Sequence, residues 1–200
     1  MIRISDVDDL RTITLDRPDK ANALTTEMLG DLAQAVENST AKVLVLTGEG
    51  SVFSAGVDLN EARAGLALSP LWERLSAAIA DFKGLTIAAL NGTVAGGAMG
   101  MVLACDLRVC VPQATFFYPV MRLGFLPQPS DPVRMRALIG PARSKVILLA
   151  GQKVPAQDAL MWGLVDQIVD AADLPKTLDA LAGDALAASH GHIAGIKGLI

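Results

Sequence analysis

Apolar positions along the chain fall into short runs punctuated by glycine and proline, and the runs carry two different periods. Ile2 and Ile4, then Ile13 and Leu15, alternate with polar neighbours, which predicts two half-buried strands turning at "DVDD", residues 6–9. "DRPDKANAL", 16–24, reads as a polar loop broken by Pro18. Met28, Leu32 and Val36 recur at every fourth position, one face of a helix. "KVLVLTGEG", 42–50, is an unbroken apolar run stopped by Gly48 and Gly50, a strand buried on both faces. Residues 70–83 predict a second helix with Leu71, Leu75, Ile79 and Phe82 on one stripe.

The second half repeats these signals. "LTIAALNG" is another buried strand, "GAMGMVLAC" a short helix, and "DLRVCV", 106–111, a third strand. Asp131-Pro132 supplies an N-cap and a first-turn proline for a helix near 132–139. Pro141 starts the next helix, which Gly151 stops, and Pro155 a third, ended by Gly163. "LVDQIV", 164–169, is a last strand, and 173–189 an alanine-rich helix. Strand, strand and helix recur without a linker, which predicts an α/β fold around one core. We place that core at 1–170 and a C-terminal helical segment at 171–200.

Composition narrows the partners. The 200 residues are 52% apolar, with mean hydropathy +0.42, and can bury about 70% of the unfolded surface. A net charge of −4 without a Lys/Arg run argues against nucleic acid and anionic membrane as partners. Leu85–Cys105 carries no charge and is long enough to span a bilayer. Asn91-Gly92 and four glycines in all divide it instead into strand, corner and helix. The start, "MIRISDVDDL", has no signal pattern, so a cytoplasmic location is expected. Cys105 and Cys110 are too few and too close to staple a scaffold and are expected reduced and buried.

The candidate chemistry lies in two glycine corners that follow buried strands, "FSAG" at 53–56 and "AGGAMG" at 95–100. A carbonyl that gains negative charge needs donors fixed in advance, and backbone N–H groups meet that need without ordering a side chain. Val57, just past Gly56, offers one. Gly97, at the start of a helix whose first donors are unpartnered, offers another. Together they would form an oxyanion hole. The alternative is that the glycines only permit close strand–helix packing. A dinucleotide fingerprint would want an acid about 20 residues on, and "RVCVPQA" has none. A phosphate loop would want Lys-Ser/Thr where Ala98-Met99 stand.

"RPDKANAL", "FSAGVDLNE", "NGTVAGGAMGM…CDLRV" and "ALMWGLVDQIV" occur in this order, and as a set they resemble the enoyl-CoA hydratase/isomerase (crotonase) family from about residue 10 to 170. The resemblance implies a spiral of ββα units that binds acyl-CoA thioesters and assembles as trimers or pairs of trimers. It places the thioester oxygen between the amides of Val57 and Gly97. It places the CoA arm along Lys20, Ala21 and Ala23 and along Ala55, Gly56, Val57, Asp58 and Leu59, with Gly96 and Gly97 beside the thioester. Lys20 or Arg17 is implied to meet a phosphate. No cofactor beyond the CoA moiety and no metal is implied, and a shortened C-terminal helical region is expected.

Two family features are missing. The positions that would carry the hydratase glutamates are Gly100 and Val120. Positioned acid–base groups are worth roughly 10²–10⁴ each and an oxyanion donor about 10²–10³, so ordinary hydration is expected to be very slow. Glu61, Tyr118, Arg122, Gln128 and Asp131 are polar residues near these positions. Tyr118 reads first as packed, Asp131 as a helix cap and Arg122 as a surface or CoA-facing charge, so none is assigned a catalytic role. Met99, Val120, Met121 and Phe125 suggest an apolar acyl end. His190 and His192 read as a helix-end feature. An enzyme stabilising a thioester enolate, a non-catalytic acyl-CoA binder or carrier, and a structural subunit that keeps only the fold are the functions left open.

Overall fold

The computed structural model describes residues 1–200. The two opening strands, β1 (Ile2–Val7) and β2 (Leu10–Leu15), form an antiparallel hairpin around Asp8-Asp9. Helix α1 (Thr26–Glu37) follows the 16–24 loop, with Thr25 capping it by accepting from the Met28 N–H. Three units then repeat one plan. Strands β3 (Val43–Gly48) and β4 (Val52–Ser54) lead to α2 (Leu59–Arg63) and α3 (Leu71–Asp81). Next come β5 (Leu85–Leu90), β6 (Thr93–Ala95) and α4 (Ala98–Ala104). The third unit is β7 (Leu107–Cys110), β8 (Thr115–Phe117), α5 (Val120–Leu123) and α6 (Asp131–Leu148), the last broken at Gly140 beside Pro141. The chain closes with β9 (Val154–Pro155), α7 (Ala156–Trp162), β10 (Gln167–Ile168), α8 (Leu174–Ala187) and α9 (His190–Lys197).

Each unit contributes one strand to each of two sheets. The larger runs β1-β2-β3-β5-β7-β10 and is parallel from β2 onward. The smaller runs β4-β6-β8-β9, with β4, β6 and β8 parallel. This is the predicted ββα spiral. Leu44, Leu46, Ala88, Leu90 and Cys110 face the main core, while Val43, Val45, Ile87, Ala89 and Val109 form a second layer under Leu178, Leu181 and Ala182 of α8. Burial on both faces explains the apolar runs of β3 and β5; in β7 the run is broken by Arg108, which is buried and donates to the carbonyls of Cys105 and Leu164.

Two expectations are corrected. β1 is an edge strand, so Ile4 is exposed and only Ile13 and Leu15 of the hairpin's four apolar markers are buried. The buried stripe of α3 is Trp72, Leu75, Ser76 and Ile79, with Leu71 only half-buried. The Leu85–Cys105 stretch is β5, β6 and α4, and no helix is long and apolar enough to cross a membrane. Both cysteines are free and buried, and burial pushes each thiol up to about 12.

The 17–24 loop is fixed by one buried side chain. Asn22 adopts φ 52°, a left-handed conformation that asparagine tolerates better than most residues. Its Oδ1 accepts from the Arg17 N–H at 2.9 Å, and its Nδ2 donates to the carbonyls of Glu49 (2.9 Å) and Val52 (2.8 Å). Asn22→Ala would strip the Arg17 N–H and the Glu49 carbonyl of this partner, while the Val52 carbonyl keeps a bond from Asn91 Nδ2 at 3.4 Å. At about 1–3 kcal/mol per buried polar group left unpaired, urea unfolding should show a loss of roughly 2 kcal/mol or more. A loss below about 1 kcal/mol would mean that the loop is held otherwise.

Candidate functional site

Strands β4, β6 and β8 are parallel neighbours, so the chain leaves all three at the same edge of the small sheet. Val57 follows β4, Gly97 follows β6 and Tyr118 follows β8. The first two corners touch. Gly56 has φ 90°, and a Cβ there would stand 2.8 Å from the Ala95 carbonyl oxygen and 3.4 Å from the Gly96 Cα. No other residue fits that backbone.

Local pairing then aims the two amides. Leu24 N–H donates to Gly56 O at 2.7 Å and Asp58 N–H to Leu24 O at 2.8 Å, a parallel bridge that turns the Val57 N–H to its other side. Gly96 N–H donates to Phe117 O at 3.0 Å, leaving Gly97 as the N-cap of α4. Neither the Val57 nor the Gly97 N–H donates to any protein acceptor, and both residues line one cavity of about 60 Å³.

The cavity wall is mostly apolar and carries no charged side chain. Trp72 packs its indole on Gly97 and donates from Nε1 to Leu66 O at 2.8 Å. Gln128 donates to Ala67 O at 3.3 Å, and Tyr118, Pro119 and Val120 form the opposite side. Leu123, Phe125 and Leu126, exposed apolar side chains, complete the lining. Beyond Phe125 and Leu126 lies an apolar groove of about 280 Å³ that includes Met121. Met99 is fully buried in the core and lines neither space. Clefts of about 830 and 790 Å³ flank α9, but they are open grooves between surface side chains that bring no paired backbone donors together.

The flanking residues divide by what they already bind. Arg17 pairs with Asp58 at 2.8 Å and donates to Ala23 O at 2.9 Å. Its guanidinium holds the Asp58 carboxyl below the usual carboxylate range. Arg17 is thus a strut of the loop, and of the two suggested phosphate partners only Lys20 is exposed and free of an ion pair. Ala21 and Ala23 are half-buried, and Ala55 and Leu59 are exposed, on the two segments joined by the Leu24–Val57 bridge. Glu61 accepts from the N–H and hydroxyl of Thr26, so it anchors the start of α1. Arg122 is exposed. His190 Nε2 lies 2.9 Å from Thr40 O, tying α9 to the loop before β3. No group of three or more metal-ligating side chains is assembled.

Asp131 is a correction. It does not cap α6: it is the first helical residue, with no solvent exposure, and its Oδ2 accepts from the Tyr118 hydroxyl at 2.9 Å. Its Oδ1 has no partner and lies 2.8 Å from where a Cβ on Gly100 would stand. Burial first, and Glu73 second, push the carboxyl up to about 7, against the Tyr118 hydrogen bond and Arg134. Burial and Asp131 also push the Tyr118 phenol up, keeping it a neutral O–H donor. Trp72 is what motif reading missed at this site, and Asp131, named among the nearby polar residues, was read as a cap. Trp72 stood one position off the expected stripe, and the Asp-Pro pair resembled a cap.

The raised Asp131 value has a stability consequence. The folded chain keeps this proton between pH 3.8 and about 7, where an ordinary aspartate has lost it. Stability from this group is therefore full below pH 3.8 and lost as pH rises through about 7, a few kcal/mol at about 1.4 kcal/mol per pH unit. Asp6, Glu37 and Asp58 are shifted downward and titrate below this window. The melting temperature should fall between pH 5.5 and 8.5, and Asp131→Asn should flatten that slope. A wild-type melting temperature that rises across the interval would contradict the burial account.

The family model described as enoyl-CoA hydratase/isomerase matches residues 8–199. The chain is 33% identical to 4-chlorobenzoyl coenzyme A dehalogenase-2 of Arthrobacter sp, over 98% of this chain and 75% of that protein. It is 34% identical to carnitinyl-CoA dehydratase of Salmonella typhi, over 85% and 68% of the two chains. Pseudomonas aeruginosa DspI superposes with TM-score 0.89 at 32% identity, over 99% of this chain and 79% of that one. A Thermobifida fusca YX structure in complex with CoA superposes at 0.90 with 25% identity, over 99% and 83%. The two-sheet ββα spiral and the match along nearly its whole length make this chain a member of the enoyl-CoA hydratase/isomerase family.

Proposed function

We propose that the protein binds acyl-CoA thioesters, receives the thioester oxygen between the Val57 and Gly97 amides, and stabilises the enolate that forms there. The observation that carries this reading is the pair of unpartnered backbone donors on one small, apolar cavity. Two half-buried N–H groups without a protein acceptor on one cavity support a ligand oxygen between them, since an N–H left unpaired is costly. The CoA arm would run along Lys20–Ala23 and Ala55–Leu59, with Lys20 as the free cation for a phosphate. The acyl chain would continue past Phe125 and Leu126 into the adjoining apolar groove. The complex of a family member with CoA supports the ligand class. This reading calls for no cofactor beyond the CoA of the ligand, and for assembly with further copies of the chain as its resemblance implies.

A second reading is a non-catalytic acyl-CoA binder, favoured by one observation: no charged side chain lines the cavity, and Gly100 and Val120 carry no carboxylate. Both readings require the oxygen site. Calorimetry with butyryl-CoA and with S-butyl-CoA, the thioether lacking the carbonyl, tests it. Two hydrogen bonds at about 0.5–1.5 kcal/mol each predict that the thioether binds roughly 5- to 150-fold more weakly. Equal affinity for the two would remove the oxyanion site from the account, and absence of saturable binding to either would remove the ligand class.

A further inference from the structure

The Asp131 side chain has no solvent exposure, yet only one of its carboxylate oxygens has a partner. Stability alone would not place a half-satisfied carboxyl there, because desolvating it is expensive and an apolar side chain would avoid the cost. Space has been kept for it instead. Its Oδ1 is 2.8 Å and its Oδ2 3.3 Å from the position of a Cβ on Gly100, so any side chain at 100 would have to push the carboxylate aside. Gly100 lies one helical turn beyond the Gly97 amide. The single partner of Asp131, the Tyr118 hydroxyl, belongs to a residue on the same cavity wall as Val57 and Gly97.

Building on the thioester reading above, we infer that Tyr118 and Asp131 form a proton relay that removes and returns the proton on the carbon next to the thioester carbonyl. Tyr118 is the group that touches the substrate, and Asp131 is the positioning partner that stores the proton. The step balances without any further reagent. The C–H bond breaks and its electron pair moves into the carbonyl, giving an enolate whose oxygen rests on the two amides. The proton passes to the Tyr118 oxygen while the proton of Tyr118 passes to Asp131 Oδ2. One negative charge leaves Asp131 and appears on the enolate, and the phenol is neutral before and after. Reversal returns the proton to carbon.

The surroundings suit this work. Besides Tyr118, the groups that face Asp131 are Glu73 of α3, which accepts from the N–H and hydroxyl of Ser130, and Arg134 on the next turn of α6, which donates to the same hydroxyl. From α4 it meets Gly100, which has no side chain to titrate. Burial and Glu73 lift the carboxyl to about 7, so both protonation states are populated near neutral pH, the condition under which a proton carrier works best.

The test is exchange of the α-protons of butyryl-CoA in D₂O, followed by NMR, with affinity for the same ester measured by calorimetry. The wild-type protein should catalyse exchange, with a rate that climbs as pH rises through about 7. Tyr118→Phe, and Asp131→Asn, which keeps an oxygen acceptor for the Tyr118 hydroxyl but cannot take its proton, should each slow exchange by about 10²-fold or more. Affinity should stay within about threefold of wild type. Exchange that survives either substitution, or a wild-type rate flat across pH 6–8, would overturn the relay. Binding without any exchange would overturn it too, while leaving the oxygen site standing; absence of binding would remove both. The wild-type pH profile decides the matter even if a variant fails to fold.

Discussion

Parallel pairing of β4, β6 and β8 is the constraint from which the site follows. Parallel strands end at the same edge, so the residues just past them are brought side by side although they are far apart in sequence. Val57, Gly97 and Tyr118 are those residues. The contact between Gly56 and the Ala95–Gly96 segment then sets how near the first two corners can come. Hydrogen bonds already made elsewhere decide direction: Leu24 takes both neighbours of the Val57 amide and Phe117 takes the neighbour of the Gly97 amide. What remains is two donors with no protein acceptor facing the same small space.

A second constraint is volume behind that space. Gly100 and Asp131 compete for one location, since a side chain on the first would meet the carboxylate of the second. The carboxyl thus arrives from α6 and through Tyr118, while the lining itself stays uncharged. Placing a glutamate at position 100 would set two acids against each other in a desolvated pocket, where like charges raise one another's affinity for protons. The local chemistry is therefore organised around a different carboxylate, and not simply emptied of one.

Much of the architecture was legible because its strongest signals are physical. Strands β3 and β5 are buried on both faces and read as apolar runs, and β7 was legible as a strand although Arg108 interrupts it; α1 shows its core face at every fourth residue. The corner glycines were legible as corners. Strands β4, β6, β8 and β9 were not, because two or three residues are too few to display a period. Arg17 looked available for a phosphate, and only the folded chain brings Asp58, 41 residues away, within 2.8 Å of it. Asp131-Pro132 satisfied the rule for a helix start, and the rule holds, but the side chain turns inward to Tyr118 where a cap would turn to the backbone. Local pattern places elements well. It does not say which side chains meet across them.

The account depends on an acyl oxygen held by the main-chain N–H groups of residues 57 and 97. Isotope-edited infrared difference spectroscopy of butyryl-CoA labelled with ¹³C at the carbonyl observes that bond directly. Two converging donors should draw the carbonyl stretch of the bound ester to lower frequency as a single narrowed band relative to the ester in water. A bound ester whose carbonyl absorbs at higher frequency than in water, as in an apolar environment without donors, would contradict it.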